Sequence, residues 1–159
     1  MATDDELKRD AEHLDYEVWM LMESTERLRG DKPLPSDPVA RKALLEAWLI
    51  HLRLLLEFFR TTKSKPDDLR AVDYFDGHTD KPKIEQLAPV KDSWENRRAQ
   101  EINKALAHIV QDRAKLNTDW NEWDLKLVTS RLTTFFDLLP ADRRVWFPRS
   151  SRWFARATP

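Results

Sequence analysis

The hydrophobic positions Leu7, Ala11, Leu14, Val18, Leu21 and Leu28 recur at spacings of three, four or seven, the repeat of one helical face. Thr3 followed by Glu6 is a capping-box signature, and Asp4 and Asp5 suit the positive end of the helix dipole. Gly30 predicts its termination. After a stiff connection holding Pro33 and Pro35, Asp37 caps a second helix with Pro38 in its first position, where the missing N–H costs nothing. In that helix, about 38–60, Lys42, Glu46, Arg53, Glu57 and Arg60 fall in one narrow stripe, and nearly everything else is apolar. A helix apolar on about three sides is expected to be packed on about three sides, which makes this the central helix.

A short turn of helix is expected around 67–75, then a linker over 76–92 that holds Gly77, Pro82 and Pro89. Ser93 caps a third helix, about 94–116, and Asn117 or Thr118 caps a fourth, about 119–139, which Pro140 ends. The reading is an all-α chain: a four-helix bundle with a short extra helical turn and a basic, aromatic C-terminal tail. Residues 1–140 form the bundle domain and 141–159 the tail.

Composition narrows this further. A length of 159 residues is one ordinary domain, and the two Gly are too few for sandwiches, barrels or glycine-rich nucleotide loops. Without Cys there is no disulfide, thiolate metal site or cysteine nucleophile. Charged residues make up 35% of the chain yet the net charge is −1, so both signs are interspersed on a solvated surface. No apolar run reaches the ~18 residues of a membrane span and the N-terminus is acidic, so a cytoplasmic protein is expected, with no membrane partner.

Helical projection also places polar residues on faces that should be buried: His51 on helix two, Arg98, His108 and Arg113 on helix three, Asp124 and Arg131 on helix four. Unpaired buried charge is costly, so these six are expected to meet between the helices. Such a cluster is either a set of ion pairs that fixes helix register or a ligand-binding or catalytic pocket. His51 and His108 with Arg98 and Arg113 are the residue types that metal-independent RNA cleavage requires: a proton acceptor, a donor and cations for the phosphate. No HxxxH, HExxH or paired ExxH occurs, so neither a metal nor another cofactor is expected.

The tail repeats the pattern Trp-Phe-x-Arg seven residues apart, as Trp146-Phe147-Pro148-Arg149 and Trp153-Phe154-Ala155-Arg156. Arginine interleaved with aromatics suits a protein groove, stacking on nucleic-acid bases, or folding back over the chain's own apolar surface or a dimer mate's. Five tail Arg against Asp142 leave the rest of the chain acidic, which confines any nucleic-acid contact to the tail.

Three segments, 43–59, 67–75 and 102–113, together resemble a family of small uncharacterised bacterial all-helical proteins and, more distantly, the HEPN-like helical bundles. The likeness spans roughly residues 5–140. Active HEPN-like members are metal-independent RNases with an Arg, four to six residues, then a His on one helix. Here nine residues separate Arg98 from His108, and Asn103 stands where four residues intervene. That departure implies one of the inactive members, which serve as binding or dimerisation modules. The expected function is therefore protein association, as a homodimer or as a non-catalytic partner of another protein, with Asp124, Arg131, Trp146, Phe147, Arg149, Trp153, Phe154 and Arg156 as binding residues. The alternative is a HEPN-like ribonuclease or nucleotide-acting enzyme using His51, Arg98, His108 and Arg113.

Overall fold

The structure, a computed structural model, describes residues 3–59, 70–75, 100, 102 and 121–154, the side chains of 121–124 excepted. Among these residues the chain is helical and has no strand, as an all-α protein should be.

Helix α1, Asp4–Leu28, starts as its sequence requires. The Thr3 hydroxyl accepts the Glu6 N–H at 3.3 Å while Glu6 Oε2 accepts the Thr3 N–H at 2.7 Å, so two otherwise orphan donors are satisfied. These bonds favour the charged carboxylate and hold the Glu6 pKa below the usual range. The helix ends in a Schellman turn. Gly30 adopts φ +87°, its N–H reaches the Arg27 carbonyl at 3.1 Å, and the Asp31 N–H reaches the Glu26 carbonyl at 2.8 Å. Leu7, Ala11, Leu14, Val18 and Leu21 form the buried face, and Leu28 packs partly against the core.

Helix α2, Pro38–Phe58, is capped by Asp37, whose carboxylate accepts the Ala40 N–H at 2.8 Å. It packs against α1 through Trp48, Leu49, Leu52, Leu55 and Leu56. Trp48 brings its polar tip with it: the indole N–H donates to Thr25 Oγ1 at 2.8 Å, and that hydroxyl donates to the Leu21 carbonyl at 2.7 Å. The expectation of a helix packed on three sides is not met. No residue from Pro38 to Ala47 is buried, and Val39, Ile50 and Leu54 stand 73%, 44% and 38% exposed. Apolar composition set the number of apolar faces, but the neighbours in the described chain cover the inner face of the C-terminal half.

The expected turn near 67–75 is a 3-10 turn over Ala71–Phe75. Asp73 organises its start, accepting the Arg70 N–H at 3.0 Å and the Arg70 guanidinium at 2.8 Å. Of the expected third helix only Gln100 and Ile102 are described; both are helical, and Ile102 is fully buried. Helix α3, Asn121–Leu138, falls in the expected fourth helix and ends one residue before the expected 139; the expected start and its capping residues lie outside the described chain. Two short helices follow, α4 at Ala141–Arg144 and α5 at Ser151–Phe154.

An aromatic cluster joins these pieces. Phe135 of α3 meets Phe58, Phe59, Tyr74, Phe75, Phe136 and Phe147 edge-on, with ring centroids 5.3–6.4 Å apart. Edge-to-face pairs of this kind add about 0.5–1.5 kcal/mol each beyond burial. Burial also pushes the Tyr74 hydroxyl pKa well up, and that hydroxyl donates to the Leu7 carbonyl at 3.3 Å.

Candidate functional site

Three places carry chemistry: the α1–α2 junction around His51, the C-terminal segment, and the outer face of α2. At the first, His51 is buried, as its projection predicts, and its Nδ1 is in direct contact with Glu17 Oε2. A carboxylate only accepts, so the imidazole donates there, which fixes ring orientation and tautomer. Tyr16 lies edge-on to the ring at 5.8 Å, and is itself 40% exposed. The partners of His51 thus come from α1, a helix absent from the six-residue cluster expected from sequence. The Glu17–His51 match joins residues 34 apart across two helices, and no local motif announces it.

The remaining members of the cluster contribute little geometry. Arg98, His108 and Arg113 lie outside the described residues, as does the side chain of Asp124. Arg131 is half-buried on α3. Among the described residues no group of His, Asp and Glu is arranged to hold a metal ion.

The C-terminal segment lies folded back on the chain. Phe147 is fully buried and Phe154 nearly so, the former against Tyr74, Phe135 and Phe136, the latter stacked on Phe136 at 5.0 Å. The attachment is polar as well. Asp15 of α1, itself 3% exposed, accepts the Arg149 N–H at 3.0 Å, the Ser150 N–H at 2.7 Å and the Ser150 hydroxyl at 2.6 Å. This carboxylate is the answer to what would otherwise be orphan donors in the turn between α4 and α5. Trp146 is half-buried. The half-buried Trp153 donates its indole N–H to Glu26 at 3.0 Å.

The tail arginines are occupied too. Arg143 donates to the Tyr74 carbonyl at 2.6 Å and to Asp4 at 2.5 Å, and Arg144 donates to the Leu139 and Asp137 carbonyls at 2.8 and 2.7 Å, closing the end of α3. Arg149 sits 5.5 Å over the Trp19 ring and Arg152 3.8 Å over Trp153, within cation–π range. Arg156 lies outside the described residues. Beside this seam, Lys32 bridges Glu23 and Glu26 at 2.7 Å each. Its hydrogen bonds hold both carboxyl pKa values below the usual range and raise its own.

The outer face of α2 was not among the candidate sites read from sequence. At about 100° per residue, Val39, Ala43, Ala47, Ile50 and Leu54 fall within an arc of about 80°. Val39, Ala43, Ile50 and Leu54 are exposed and Ala47 is half-covered. Lys42, Glu46, Arg53 and Glu57 run along one flank of this arc, with Arg53 reaching Glu57 at 3.3 Å. The signal was available in the spacing of 43, 47, 50 and 54, a four-three-four repeat, but on a helix this apolar it merges with the core pattern.

These features define an all-helical protein, and no helix among its described residues is long and apolar enough to cross a membrane. Comparisons with protein-family models, with curated proteins and with solved structures found no match.

Proposed function

We propose that the protein works by association, as a homodimer or as a non-catalytic partner of another cytoplasmic protein, built on a four-helix bundle. One observation carries this reading: α2 presents Val39, Ile50 and Leu54 to solvent in a single stripe, at 73%, 44% and 38% exposure. Singly exposed apolar residues are ordinary, but a contiguous line of them along one helix is the surface that associating helices use. The C-terminal aromatics support the same assignment by default, because Phe147 and Phe154 lie in the chain's own core. Among the described residues, α2 is the surface we assign to association.

A photo-crosslinking amino acid placed at position 50 in cells tests this, with position 13, an exposed polar site on α1, as the control. Adducts at 50 and none at 13 are expected. A chain that forms no adduct of any mass at position 50 sinks the proposal.

A further inference from the structure

We draw no further inference here: the strongest candidate, the buried His51 at the junction of α1 and α2 with its Nδ1 against Glu17, belongs to the site already described, and nothing among the described residues shows what its other ring nitrogen meets.

Discussion

Residues 147–154 and residues 38–47 are held by the same molecule in opposite ways. The first segment has no long helix, yet it is anchored at both ends. Phe147 and Phe154 enter the aromatic cluster, Asp15 takes the N–H groups of Arg149 and Ser150, and Glu26 takes the indole of Trp153. The second segment is regular helix with a good cap, yet none of its residues is buried. Local regularity and tertiary attachment are separate properties. A helix end can be well formed because its own caps and i→i+4 bonds suffice, while an irregular segment persists only where the rest of the fold supplies partners for its backbone.

Substitutions should separate the two regions sharply. Phe147→Ala empties a site with no exposure among three rings and is expected to cost about 3–5 kcal/mol in urea unfolding. Asp15→Ala leaves two N–H groups and a hydroxyl without their acceptor and is expected to cost about 3 kcal/mol, with segment 147–154 becoming cleavable by protease before global unfolding. A loss as small for Asp15→Ala as for a surface change would mean that the aromatics alone attach the segment.

Gly30→Ala should cost about 1–2 kcal/mol through its positive φ alone, because nothing lies within 4 Å of an added Cβ. Val39→Ser and Ile50→Glu, by contrast, should move the unfolding free energy of the monomer by no more than about 0.5 kcal/mol. A loss of several kcal/mol at either would place α2's outer face inside the fold and end its role in association.

The smallest effect is electrostatic. Glu23 and Glu26 are held below the usual carboxylate range by hydrogen bonds from Lys32. A folded pKa below the unfolded one means stability that is present above about pH 4.5 and lost as pH falls through the depressed values. Acidification from pH 5 downward should therefore lower the urea midpoint, and Lys32→Met should flatten that dependence. An unchanged slope in the variant would show that Lys32 does not set it.

Much of this was legible beforehand, and the reason is range. Thr3 with Glu6, Asp37 with Pro38, and Gly30 act on residues three to five positions away, so their meaning is complete in a short window, and each cap and the turn stand where sequence places them. His51 was legible as buried because helical periodicity alone sets its face. Its partner was not, since Glu17 is supplied by a different helix.

The chain's sequence alone thus determined that it is helical, where α1 ends, where α2 begins, and which faces are apolar. Only the tertiary structure decided which apolar surfaces are covered. Arginine and tryptophan in a terminal segment suit a partner's groove or the chain's own core equally well, and the choice turned on a carboxylate 135 residues away that meets Ser150. The stripe on α2 is the converse case: its residues have core character, and it stays exposed because burial depends on what packs opposite, a property that no residue carries by itself.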